Sequence, residues 1–196
     1  MIENLLLFNN LNARTKITEA EFMRIESILV KKHVRKKREL IIEGEISKNI
    51  YFITKGCLRS YSINKEGIAH VMQLALEDYW IGDLSSFITQ TPGKLSIEAI
   101  EDTEVLQLSF ADLEQLYIEI PALERFFRLL FQRALVQLQQ RLDNSMSINA
   151  EERYQDLLSR QPLLASRVPL IHIASYLGIT PESLSRIRKR LVSPKK

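Results

Sequence analysis

The chain has 196 residues, 45% of them hydrophobic, and a formal net charge of +3. That allows one large domain or two small ones with a real core, and the sparse glycine and proline argue against disorder. A single cysteine, Cys57, excludes an internal disulfide framework and any cysteine-ligated cluster or zinc site built by one chain. The first residues place an acid, Glu3, where a signal peptide needs a base. No run approaches the roughly 18 apolar residues of a membrane span, so a cytoplasmic protein is expected.

In chain order, Thr18 and Glu21 form a capping box, and Phe22, Ile25, Ile28 and Leu29 follow at helical spacing. The charge run Lys31 to Arg38 reads as a solvated strand edge carrying gatekeeping charges, in preference to a nucleic-acid contact. From Arg38 to Leu108 the texture is β. Short apolar runs at 40–42, 50–54, 57–63, 68–76, 96–100 and 103–108 are separated by glycine-bearing or acidic turns. That spacing predicts a sandwich, jelly roll or small barrel, not a parallel sheet. Asp83 with Ser85 and Ser86 reads as a capped turn before a reactive cluster.

Ser109 and Asp112 cap a short helix predicted over 112–117. Pro121 opens a long helix predicted to reach Leu142. Its apolar positions, from Leu123 through Phe126, Phe127 and Leu130 to Leu142, are too broad for one interface. One face is expected on the chain's own β domain. The other, with Leu123, Phe127, Leu130 and Ala134 at near-heptad spacing, is expected to meet a twofold partner. A helix buried wholly within one chain is the alternative. Residues 143–147 are polar and aperiodic and are expected to form a hinge. Another helix is predicted from Ile148 to about Arg160, followed by a connector over 161–167.

The last segment is the most informative. Ile173, Ala174 and Leu177 share a helical face, Gly178 supplies a tight turn, and Thr180 and Pro181 open a second helix with Glu182 in its first turn. Leu184, Ile187 and Leu191 form its expected buried stripe. Residues 180–196 hold six basic side chains against Glu182, so this short piece is +5 and the rest of the chain −2. Such a helix-turn-helix, basic on its outer face, suits the major groove, whereas an ordinary helical hairpin with a solvated face would not segregate charge this way.

The segments Leu40 to Glu45, Ile50 to Gly56, Trp80-Ile81-Gly82-Asp83 and Ser96-Ile97-Glu98-Ala99, ordered before this terminal motif, resemble the Crp/Fnr family (cyclic-AMP receptor protein and fumarate–nitrate regulator). The resemblance implies an α+β protein: a β-roll or jelly-roll sensor over 1–120, a dimerisation helix over 121–142, and a winged-helix-like helix-turn-helix domain over 143–196. The sequence leaves little room after Leu191 for the hairpin wing that often follows. A homodimeric, DNA-binding transcription regulator is implied, with double-stranded DNA as partner and RNA polymerase as a further candidate. DNA contact falls on Thr180, Pro181, Glu182, Ser183, Ser185, Arg186, Arg188, Lys189 and Arg190. Arg186 and Glu182 stand at base-reading positions, and Pro181 replaces a common arginine.

The sensor pocket of the family would fall on Gly82, Asp83, Leu84, Ser85, Ser86 and Lys94. There the family holds a cyclic nucleotide by a glycine amide and the acid after it, and by an arginine and a neighbouring serine or threonine. In this chain Gly93 stands at the arginine position and Lys94 beside it. Without the bidentate guanidinium, cyclic AMP or GMP is not expected as a ligand, and the effector is left unnamed. With one cysteine the redox-cluster branch is disfavoured, and His33, His70 or Cys57 as haem ligands likewise. No metal site and no enzyme motif is found. A ligand-binding module whose helix-turn-helix contacts protein is the second reading.

Overall fold

The structure, a computed structural model, describes residues 2–192. Lys195 and Lys196, counted above in the basic segment, lie outside them. In chain order the elements are α1 (Leu5–Asn12), α2 (Glu19–Glu26), β1 (Val30–Val34), β2 (Glu39–Ile41), β3 (Asn49–Lys55), β4 (Leu58–Ile63), β5 (Ala69–Ala75), β6 (Trp80–Ile81), α3 (Leu84–Thr89), β7 (Ser96–Ala99) and β8 (Thr103–Ser109). After the last strand come α4 (Phe110–Glu119), α5 (Pro121–Ser147), α6 (Ala150–Arg160), α7 (Leu164–Arg167) and α8 (Leu170–Leu177). The last is α9 (Pro181–Val192). Sequence pattern does not single out α1, whose Leu7 and Leu11, one turn apart, are fully buried. Among the described residues no helix is long and apolar enough to cross a membrane.

Two antiparallel four-stranded sheets face each other, one ordered β1-β8-β3-β6 and the other β2-β7-β4-β5. The basic strand β1 is an edge strand, where its lysines meet solvent and discourage further pairing. Side chains alternate across β3. Tyr51 and Ile53 point between the sheets, while Ile50 and Phe52 point to the helical layer of α1, α2, α4 and α5. That explains the unbroken apolar run at 50–53: the strand is covered on both faces. Gly56 closes the β3–β4 turn at φ +101°, and a Cβ there would run into Thr103.

The long helix departs from expectation in two ways. It runs through Asp143 to Ser147, and the chain changes direction only at Ile148 (φ −125°, ψ 152°), where Asn149 caps α6. The polar composition of 143–147 reflects a solvated helix end, so these residues are no hinge. Moreover, Leu123 and Phe127 do not face outward: each is 1% exposed and packed in the chain's own core. Trp80 takes that face, 5.1 Å from Phe127 and 6.4 Å from Phe126 between ring centroids. Leu130 is half-buried beside them and Ala134 is exposed. The exposed apolar stripe lies further along, at Leu135, Leu138 and Leu142, each close to 58% exposed. Helical periodicity identifies two faces, but the β-roll's aromatic patch decides which one it covers.

The helices α6 to α9 do not stand apart from the β-roll. Cys57, Val71, Leu74, Leu76 and Ile100 share one core with Tyr154, Leu157, Leu164, Val168, Ile173 and Leu177. Burial pushes the Cys57 thiol up to about 12, which leaves it an inert apolar group. Strand β5 is the sheet's free edge, and its backbone is satisfied by side chains. Ser175 Oγ accepts from the Val71 N–H and donates to Ala69 C=O, and Arg141 donates to the carbonyls of Val71 and Met72. Arg141 also lies 4.4 Å from the Tyr176 ring centroid. Arg167, at the end of α7, bridges Glu77 and Glu101 on two β-roll turns.

Hydrogen bonding from Arg167 holds the Glu77 carboxyl down at about 2, against its usual 4.5. A depressed folded pKa means this contribution is complete above about pH 4.5 and is lost as pH falls towards 2. Thermal unfolding followed from neutral to acid pH should therefore show Glu77→Gln less stable by about 2 kcal/mol at neutral pH, with a flatter loss in acid. Identical profiles for the two proteins would remove the bridge from the stability of this interface.

Candidate nucleic-acid interface and sensor cassette

The terminal motif is built as a tight helical pair. Gly178 ends α8 in the left-handed region (φ 68°, ψ 34°), and the Ile179 N–H donates to the Ala174 carbonyl. Ala174 is fully buried where α8 meets α9. Thr180 Oγ1 accepts from the Ser183 N–H at 3.2 Å, so Thr180 caps α9, and Pro181 occupies the first turn, where its missing N–H costs nothing. Leu184 and Ile187 are buried against α6 and α8, whereas Leu191, expected in the same stripe, is 40% exposed. The helix outruns its support by its last turn.

The outward face carries Thr180, Glu182, Ser185, Arg186, Arg188, Lys189 and Arg190, all exposed, with Pro181 and Ser183 half-buried. Arg186 Nη2 donates to Ser183 Oγ at 3.3 Å, which steers the guanidinium along the helix N-terminal half. Arg190 pairs with Glu151 of α6 at 3.0 Å and so braces the helix. Among the described residues Arg186, Arg188 and Lys189 have no carboxylate within ion-pair distance. Glu182 is held below the usual carboxylate range by its own backbone N–H and the Thr180 hydroxyl, so it stays an acceptor. Three unpaired cations and one acceptor on an exposed helix face are the donor and acceptor set that base edges and phosphates require.

The sensor cassette is closed from within. Asp83 caps α3, is 2% exposed, and spends its carboxylate on backbone donors. Oδ1 accepts from Ser86 N–H, and Oδ2 accepts from Lys94 N–H at 2.9 Å and Leu95 N–H at 3.1 Å. Gly93 is demanded here because a Cβ would lie 2.5 Å from Asp83 Oδ2. Ser86 Oγ accepts from Ser47 N–H and donates to Thr91 C=O, while Gly93 exchanges backbone bonds with Gly44 and Glu45. Leu84 is half-buried, and Ser85 and the Lys94 side chain are exposed. The structure thus brings Asp83, Ser86 and the Lys94 backbone together, and leaves Ser85 and the Lys94 ammonium outside the cluster. Gly82 lies close to Ile50, with only 3.0 Å between its Cβ direction and Ile50 Cγ2. Among the described residues no three His, Cys, Asp or Glu side chains converge as metal ligands.

Sequence reasoning missed the groups that fasten the terminal helices: Glu77, Glu101, Arg141, Arg167 and Ser175. No local signal marks them, because each bond joins residues 66 or more apart in the chain. Replacing Asp83 by alanine strands three N–H donors, that of Ser86 buried and those of Lys94 and Leu95 part-buried. Chemical denaturation should show Asp83→Ala destabilised by about 3 kcal/mol, and Asp83→Asn, which keeps one acceptor oxygen, by less. Equal stability of Asp83→Ala and the parent chain would refute the closed cassette.

Residues 31–119 match the cyclic nucleotide-binding domain family. The chain is 27% identical to the anaerobic regulatory protein of Haemophilus influenzae, over 89% of this chain and 72% of that protein. It is 26% identical to the fumarate and nitrate reduction regulatory protein of Vibrio cholerae, over 89% of this chain and 74% of that protein. Among solved structures, FixK2 from Bradyrhizobium japonicum superposes with a TM-score of 0.73 at 21% identity, covering 84% of each chain. The catabolite activator protein of Thermus thermophilus superposes with a TM-score of 0.59 at 20% identity, covering 89% of this chain and 84% of that one. These likenesses run past the β-roll into the long helix and the terminal helices, so along most of its length the chain is similar in sequence to curated anaerobic regulatory proteins and shares the fold of solved transcription regulators.

Proposed function

We propose that the chain is a homodimeric transcription regulator that reads a twofold-symmetric DNA site with α9. The observation that carries this reading is the face of α9, buried through Leu184 and Ile187 and otherwise basic, exposed and unpaired at Arg186, Arg188 and Lys189. Arg186 matches the O6/N7 edge of guanine, Glu182 the N4 amine of cytosine, and Thr180, Ser183 and Ser185 base edges or phosphates. Arg188 and Lys189 contact phosphate and set position, with Arg190 held back by Glu151. Two copies of α9 would enter successive major grooves about 34 Å apart. The family is one of transcription regulators, not of enzymes; RNA polymerase and a cytoplasmic setting belong to this proposal.

The second copy is assigned to the exposed stripe Leu135, Leu138 and Leu142, spaced by three and four residues as a two-helix seam requires. This replaces the seam expected from Leu123 and Phe127, which the β-roll covers. Cyclic AMP and GMP are not proposed as effectors. The Lys94 amide, which belongs to the phosphate-holding position in the family, is already taken by the Asp83 carboxylate, and Gly93 supplies no guanidinium.

Purified protein without added ligand should retard its own upstream DNA in preference to a scrambled duplex at about 0.15 M salt. Arg186→Ala should lose about 1–3 kcal/mol of discrimination at one base pair, and an equal loss on every sequence would refute its base-reading role. Lys189→Ala should weaken all duplexes alike and reduce the salt slope by about 1. Sedimentation equilibrium should find Leu138→Glu monomeric; a persistent dimer would place the twofold contact elsewhere.

A further inference from the structure

Between the first helix, β6 and the root of α5 lies a cavity of 290 Å³, small for a ligand site, where roughly 300–1,000 Å³ is usual. Arg14, Gln73, Trp80, Phe127, Phe131 and Arg133 give it its chemistry. It borders the cassette at Gly82 and Leu84, while Asp83, Ser86, Lys94 and Leu95, which close the cassette, are not in its wall. Two of its walls, α1 and α5, also fall outside the residues that match the cyclic nucleotide-binding domain.

The lining is aromatic at one side and cationic at the other. Trp80 and Phe127 sit 5.1 Å apart edge to face, and Phe131 lies 5.8 Å beyond Phe127. Arg14 is half-buried, its guanidinium 5.6 Å from the Phe126 ring, and Nη1 donates to the Asn10 carbonyl. Its Nε is buried and has no hydrogen-bond partner. Among the described residues neither Arg14 nor Arg133 has a carboxylate within ion-pair distance. The nearby Asp78 carboxylate is engaged by Asn10 Nδ2 at 2.8 Å. Burial and the like charge of Arg133 both push the Arg14 guanidinium down from its usual value. Asp78 puts one carboxylate in this wall, so the two arginines leave one positive charge in excess, with one N–H unspent, and a bound anion would balance it. The volume admits one ring, and the three aromatic side chains offer it edges and faces.

We infer that this cavity binds a small aromatic carboxylate, the ring against Trp80, Phe127 and Phe131 and the carboxylate between Arg14 and Arg133. The inference does not depend on DNA binding. Since α5 supplies one wall and also the proposed dimer seam, a ligand here would touch the helix that joins two copies.

Trp80 is the chain's one tryptophan, so its fluorescence reports this cavity directly. The full chain would be titrated with benzoate, phenylacetate and phenylpropionate, against acetate for charge without a ring and benzamide for a ring without charge. A saturable change in emission is expected with at least one aromatic acid, and at least about tenfold weaker binding of acetate and benzamide. Arg14→Gln and, separately, Arg133→Gln should each weaken the acid at least about tenfold, the loss of one charge-assisted hydrogen bond. Arg133 is exposed, so that variant keeps the test alive if Arg14→Gln unfolds. No saturable change with any of the three acids overturns the proposal. So does benzamide binding as tightly as benzoate, or unaltered affinity in folded variants.

Discussion

The aromatic joint between the β-roll and α5 is the contact on which the rest of the molecule depends. Phe52 and Trp80 from the sheet meet Phe126 and Phe127 from the helix, with ring centroids 5.1–6.4 Å apart. Rings of this size bury large apolar areas and prefer tilted contacts, so the joint fixes both the position and the rotation of the helix about its axis. Three consequences follow from that rotation. The first half of α5 is consumed by the chain's own core, the second half shows Leu135, Leu138 and Leu142 outward, and Arg133 is carried to the mouth of the small cavity beside Trp80.

The cassette illustrates how a single charged side chain can change what a fold is able to recognise. Backbone N–H groups at a tight turn attract an anion, and in this chain the anion is the buried Asp83 carboxylate. The arrangement is self-consistent. Gly93 is needed because the carboxylate lies against it, and a larger residue at that position would displace the group that satisfies the turn. The glycine at 93 and the capture of the Lys94 and Leu95 donors by Asp83 are thus one arrangement seen from two sides.

The terminal helices are held by an unusual use of a sheet edge. A free edge invites further strands, and β5 avoids this by giving its backbone groups to Ser175 and Arg141. Around those bonds lies a shared apolar core, and at its margin Arg167 ties together two turns of the β-roll. A coupling free energy of about 1–3 kcal/mol between the β-roll and the exposed face of α9, typical of allosteric proteins, would be comparable with the worth of a few such bonds. The orientation of α9 is therefore set by contacts that the β-roll makes with α7 and α8, more than by the backbone at Ile148.

Much of this was legible in the sequence, and for local reasons. The capping box at Thr18, the N-cap at Ser109, the turn at Gly178 and the basic face of α9 all depend on residues a few positions apart, whose physics is written along the chain. The β texture and the edge position of the lysine-rich β1 were readable in the same way. What only the tertiary structure decided involves partners far apart in sequence. Which face of α5 is buried depended on Trp80, some 47 residues before Phe127. That helical structure persists through 143–147 reflects the helix's own hydrogen bonds, which polar side chains on a solvated end do not interrupt. The docking of α8 on β5, the capture of the Lys94 amide by Asp83 and the meeting of Arg14 with Arg133 likewise arise only when the sheets close. Local spacing determines elements and their faces; the long-range packing of those faces determines which groups are left free to act.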